Sequence, residues 1–239
     1  VVDGSTTLKE SQIFDQQTSL AAIEAVRQEF RQRYGEQATA LYAKSVHMFG
    51  SLEATAKRIL MAASHERPFV LAFAGYSVTV GRGNHYNQSF PFCLQRILEP
   101  LFQKVLPSIP YVTVRNAAIG GIPSFPYAFC LEHFLGTDPD VISWDFSMNE
   151  GNTGSILEAY LRHAQQLPNR PMVILLDKNR QRKEILSQYT ERGWLQDAIS
   201  VSMAKDVVDQ NMLQLPESDR PVGFQHWDEF GAPKNCPGR

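Results

Sequence analysis

Four short apolar runs, Phe69–Ala74, Tyr111–Val114, Val141–Trp144 and Met172–Leu176, constrain the fold of this chain more than any other feature. A weaker fifth lies at Ala198–Val201. Each reads as a buried strand. Stretches of helical spacing separate them. Residues 89–106 carry Leu94, Ile97, Leu98, Leu101, Phe102 and Val105 on one side, and 126–135, 154–167 and 181–194 fill the other gaps. Strands that alternate with helices imply right-handed crossovers and a parallel sheet covered on both faces. The expected fold is therefore a three-layer α/β/α domain over residues 68–239, with a roughly five-stranded parallel sheet. Residues 1–18 are polar. Helical patterns follow through Leu20, Ile23, Val26 and Phe30 to a stop at Gly35, through Leu41–Leu52, and through Ala56–Ala63. Residues 1–67 are thus expected to form an N-terminal helical extension.

The 239 residues are 43% hydrophobic and 20% charged, enough for one globular domain with a sizeable core. A net charge of −2 gives no electrostatic footprint for nucleic acid or an anionic membrane. Cys93, Cys130 and Cys236 lack metal-ligand spacing. Cys93 and Cys130 stand in apolar contexts and are expected in the core, with one disulfide left open. No metal or cofactor is expected. No apolar stretch is long enough to span a bilayer. The chain opens on Val1 rather than Met, and Asn87-Gln88-Ser89 fits the N-glycosylation acceptor pattern. These two features suggest a secretory or extracellular location.

In open α/β sheets ligands bind beyond the carboxyl ends of the strands. Gly75-Tyr76-Ser77-Val78-Thr79 follows the first strand, Arg115 to Gly121 the second, and Asp145 to Gly151 the third. A Walker loop is excluded: five residues separate Gly75 from Gly81, and Arg82 stands where the motif has lysine. A dinucleotide loop is excluded because Tyr86 replaces the third glycine. The G-x-S-x-G elbow fails at Thr79, which would crowd the sharp turn. A serine hydrolase fits better. Ser77 could attack, its own N–H and that of Gly121 could donate to an oxyanion, and the Asn149 amide could add a third donor.

These residues resemble the SGNH (GDSL-type) hydrolases. Gly75-Tyr76-Ser77-Val78-Thr79 matches the first block, G-D-S-x-[ST], except at Tyr76. Asn116 and Gly121 keep the spacing of the second block. Ser147-Met148-Asn149-Glu150 keeps the Asn and the acidic neighbour of the third. The wording from Gly75 to Gly151 is similar to an uncharacterised eukaryotic branch of that superfamily. The resemblance covers residues 68 to 205. It implies a flavodoxin-like sheet, Ser77 as nucleophile, and Ser77, Gly121 and Asn149 as the oxyanion hole. It also implies a late D-x-x-H block supplying the base. Among His47, His65, His85, His133, His163 and His226, only His226 follows the last strand, with Gly223 where the family has Asp. His226 is the candidate base and His85 a second one. Alternatively, the His-bearing block is missing from the chain. Tyr76, Tyr86, Phe125 and Trp144 are expected as aromatics near the cleft. The resemblance implies a serine esterase acting on small-molecule or glycan esters, such as O-acetyl on carbohydrate. A non-catalytic glycan- or protein-binding module and an O-acyltransferase are the alternatives.

Overall fold

The computed structural model describes residues 16–150, 154–177 and 182–201. Helix α1 (Gln16–Ser45) breaks at Gly35, whose φ of 78° lies outside the helical region, so the predicted stop is a kink. Strand β1 (Val46–Gly50) follows, then α2 (Leu52–Ser64), capped by the Ser51 hydroxyl, which accepts from the Glu53 N–H. β2 (Phe69–Gly75) leads into the short α3 (Ser77–Val80) and then α4 (Phe90–Val105). β3 (Val112–Asn116) is followed by α5 (Phe125–Phe129) and α6 (Leu131–Leu135). β4 (Val141–Asp145), α7 (Ser155–Ala164), β5 (Met172–Leu176), α8 (Lys183–Glu191) and β6 (Asp197–Val201) complete the order.

The sheet order is β1-β6-β5-β4-β2-β3. β2 to β6 are parallel, as expected, and β1 adds a sixth strand antiparallel to β6. The helix expected over Leu41–Leu52 is therefore interrupted. Ser45, Met48, Phe49 and Leu52 fit a helical stripe, but His47 and Phe49 also alternate as the half-buried side of a strand. Pairing with β6 decides between the two periods. The expected helix over 126–135 is likewise split at Cys130.

β2 and β4 are buried at every position, which suits their near-continuous apolar runs, with Ser143 and Asp145 of β4 as buried polar exceptions. Alternate residues feed two cores. Ala72, Ala74, Ile142, Trp144, Val173 and Leu175 pack under α5 to α8. Phe69, Leu71, Phe73, Val112 and Val114 pack with α2 and α4 on the other face. The connection after β2 runs over one face and that after β4 over the other. The crevice between the carboxyl ends of β2 and β4 is thus the topological switch point of a doubly wound sheet, where such folds bind ligands.

Candidate active site

Ser77 stands at that crevice. It is half-buried and begins α3, directly after the last residues of β2. The Tyr76 N–H donates to the Asp145 carbonyl at 3.0 Å and ties the end of β2 to the end of β4. Gly81, at φ 92°, closes α3 in the left-handed region. The turn after β3 lies against the serine. The Ile119 N–H donates to the Gly75 carbonyl at 3.0 Å, and a Cβ at Gly120 would sit 3.8 Å from the Ser77 Cβ.

The residue in contact with Ser77 is thus Gly120, which block spacing does not single out. Its neighbour Gly121 has φ +83° and no atom within 4 Å of its Cβ position, so conformation rather than crowding demands glycine there. Asn149 is exposed in the turn after β4 and donates from Nδ2 to the Ile122 carbonyl at 3.0 Å. One N–H of its amide stays free of that bond. The turns bearing Gly121 and Asn149 therefore share a hydrogen bond, and the Gly121 turn touches Ser77.

A polar brace underlies the serine. The Thr79 hydroxyl donates to Asp145 Oδ2 at 2.5 Å, and the Asn116 amide donates to the Thr79 carbonyl at 2.7 Å and to Ser89 Oγ at 3.0 Å. Asn116 Oδ1 in turn accepts from the Ala118 N–H at 3.2 Å. One residue from each of the three motif turns joins in this chain of bonds. Thr79 breaks the G-x-S-x-G elbow, and here its side chain packs on Gly75: a Cβ at position 75 would approach Thr79 Cβ to 2.7 Å. Gly75 is needed because Thr79 and Asp145 occupy the space. Asp145 is buried away from water, and burial pushes its carboxyl from the ordinary 3.8 to about 6, against the pull of the Thr79 hydroxyl. Its role has no signature in the sequence, since its partner lies 66 residues upstream.

Glu150, the acidic neighbour of Asn149, accepts from both the backbone N–H and the hydroxyl of Ser124, and so fixes the start of α5. Tyr76, expected as an exposed aromatic near the cleft, is only 9% exposed, and burial, then the Asp145 charge, push its phenol up to about 12. Trp144 is fully buried in the core, not a cleft aromatic, whereas Tyr86 and Phe125 are exposed as expected.

Among the described residues the Ser77 hydroxyl makes no hydrogen bond, so no described imidazole is bonded to it. His65 caps α2 and bonds the Met61 carbonyl. His163 bonds the Ala128 carbonyl. His85 is exposed at the start of the turn Tyr86–Gln88, and His133 is exposed on α6. His226 lies outside the described residues. Cys93 is half-buried and Cys130 exposed, both as free thiols, rather than the core residues expected. Leu131 faces the core beside Cys130, while Phe129 on its other side is exposed with it. Cys236 lies outside the described residues. No group of described side chains could hold a metal ion, and no described helix is long and apolar enough to cross a membrane.

No family model and no curated protein sequence matches the chain. Solved structures do. A two-domain esterase (CEX) active on acetylated mannans superposes with a TM-score of 0.54 at 20% identity, over 75% of this chain and 50% of its own. The same esterase co-crystallized with mannopentaose gives 0.52 at 20% identity, over 75% and 51%. AlinE4, an SGNH-hydrolase family esterase, matches at 14% identity with a TM-score of 0.43, over 63% of this chain and 84% of its own. This chain spans about half the length of the two-domain esterase. Its doubly wound, mostly parallel sheet, with three motif turns gathered at the carboxyl edge, shares the fold of the matched domain of the two-domain esterase.

Proposed function

We propose that the chain is an SGNH-type serine esterase that cleaves ester-linked acyl groups through a Ser77 acyl-enzyme. The observation that carries this reading is the seat of Ser77: at the switch point, half-exposed, with the Gly120 backbone against it. Ser77 Oγ attacks the acyl carbon, and the alkoxide of the substrate leaves with a proton from the base. Water then attacks the acyl-serine and releases the acid. The charge of each tetrahedral intermediate falls to the N–H groups of Ser77 and Gly121 and the Asn149 amide. His226 is proposed as the base that takes the serine proton and returns it to the leaving group. The brace through Asp145, Thr79 and Asn116 holds the turn so that these donors need no reorganisation. An O-acetyl ester on carbohydrate is the proposed substrate class, supported by the fold neighbour active on acetylated mannans.

Incubation with p-nitrophenyl acetate and a fluorophosphonate probe tests this. The chain should turn over the ester and label, and Ser77→Ala should abolish labelling and lower turnover by about a thousandfold or more. Labelling that survives Ser77→Ala rejects the assignment. The second reading, a non-catalytic glycan-binding module, is favoured by the absence of a hydrogen bond between Ser77 and any described histidine. Glycan binding without turnover, indifferent to Ser77→Ala, would select it.

A further inference from the structure

The opposite edge of the sheet carries a second concavity, far from Ser77. β3 is one of the two edge strands of the sheet, β1 being the other. Its Val112, Val114 and Asn116 are buried, while Thr113 and Arg115 face the other side and stay half-buried. Tyr111, just before the strand, shares their side by alternation and is 49% exposed. α6, which covers this face of the sheet, ends at Leu135. The amino half of the strand is left open, bounded by the segments 137–138 and 168–169. The result is a cavity of about 600 Å³, within the range of small-molecule sites of roughly 300–1,000 Å³.

Its polar groups are held in place. Arg115 donates to both oxygens of Asp138, at 2.5 and 2.6 Å, and to the Leu135 carbonyl at 3.0 Å. Gly136, at φ +87°, leaves room for this fork: a Cβ there would crowd the Arg115 guanidinium and meet Asp138 Oδ1 at 3.0 Å. Asn169 donates to the Asp138 carbonyl at 2.8 Å. Arg67 donates to both oxygens of buried Asp140, at 2.8 and 2.7 Å. Each cation is thus matched by an anion, and the site offers no net charge to a charged ligand. It does offer a planar array of fixed donors and acceptors, with unbonded hydroxyls on Thr113 and Thr137. Beside it stand the Tyr111 ring and the apolar flanks of Pro68 and Pro168.

We infer that this cavity is a binding subsite for a neutral sugar of a glycan chain. The Tyr111 ring takes the C–H face of the pyranose, and the Arg115–Asp138 fork takes a pair of neighbouring hydroxyls. Neutral hydroxyls suit such a site because each can both donate and accept. An anionic sugar would face two guanidinium groups already satisfied by carboxylates. The cavity opens beside Pro68 and Tyr111, before the amino ends of β2 and β3, whereas Ser77 stands beyond the carboxyl end of β2. It would therefore hold a polymer without touching the Ser77 chemistry.

Isothermal titration of the full chain with cellohexaose, mannohexaose and xylohexaose, beside an anionic oligogalacturonate, tests the inference. Saturable binding of at least one neutral hexasaccharide is expected. Tyr111→Ala should weaken it about tenfold or more, and Tyr111→Phe should preserve it. Ser77→Ala should leave it unchanged. Tyr111 is exposed enough for the variant to fold, which an unchanged Tm checks. Three results each overturn the inference: no neutral oligosaccharide binds, the anionic one binds best, or Tyr111→Ala binds as well as wild type. Turnover is not the readout, so failure of the esterase reading leaves this result separately decided.

Discussion

Asp145 is a buried carboxylate whose nearest help is a single hydroxyl, that of Thr79. Burial holds its folded pKa near 6, above the ordinary 3.8. The protonated form is therefore favoured by folding. The stability from this group is complete below about pH 4 and is lost as the pH rises through about 6. Asp145→Asn keeps an acceptor for Thr79 and removes the cost of ionisation. The variant should exceed wild type by about 2–3 kcal/mol near pH 8, with the gain vanishing near pH 4. Urea unfolding across that range measures it, and a pH-independent difference would show that Asp145 does not titrate as argued. At this scale the sequence was partly legible. Ser77, Asn116 and Asn149 could be found because each follows a strand that the apolar runs reveal. Gly120, Thr79 and Asp145 could not be, because their roles arise from contacts between turns distant in sequence. Trp144 was misread for a related reason: a residue one position before a cleft turn still alternates into the core.

Among the elements, α2 is joined to the sheet by a buried ion pair. Arg58 donates to Asp197 of β6 from side chains 7% and 3% exposed, and also to the Arg170 carbonyl at 3.0 Å. Thr55, one turn earlier, donates to the same carboxylate. Such a pair adds little over a matched apolar one, but removing one partner strands a buried charge. Arg58→Ala should cost about 3–5 kcal/mol, and Arg58→Met paired with Asp197→Leu should recover most of it. Equilibrium unfolding of the two variants decides this. If the double variant is no more stable than the single one, a stranded Asp197 charge is not the source of the loss. The parallel strands and their crossover helices were readable because the runs of β2 and β4 are buried on both faces and that of β5 nearly so. β1 was not. Five residues with a half-buried alternation carry too little pattern to outweigh a helical stripe, and only the partner strand β6 supplies the difference.

For the whole molecule the open question is where the α/β domain begins. The amino-acid pattern proposes residue 68, with everything before it an extension. β1 reaches across that line to pair with β6 over all five of its residues, from Val46 opposite Val201 to Gly50 opposite Asp197. Gly50 is the point at which this contact can be released. Its φ is +74°, and a Cβ there would strike the Gln196 carbonyl, whose carbon lies 3.0 Å away, with Asp197 Cα at 3.1 Å. Both obstacles are backbone, which cannot swing aside, and the left-handed conformation alone costs an alanine about 1–2 kcal/mol. Gly50→Ala should therefore detach β1 from β6. If the boundary at residue 68 is physical, hydrogen exchange should quicken at 46–50 while β2, β4 and β5 keep their protection, since local opening follows cooperative units. The Arg58–Asp197 pair works against such confinement, because it couples α2 to the same strand that β1 leaves. Loss of protection spreading into β4 and β5 would place β1 and α2 inside the sheet's own cooperative unit, and the boundary would then move upstream to the α1–β1 junction at Ser45.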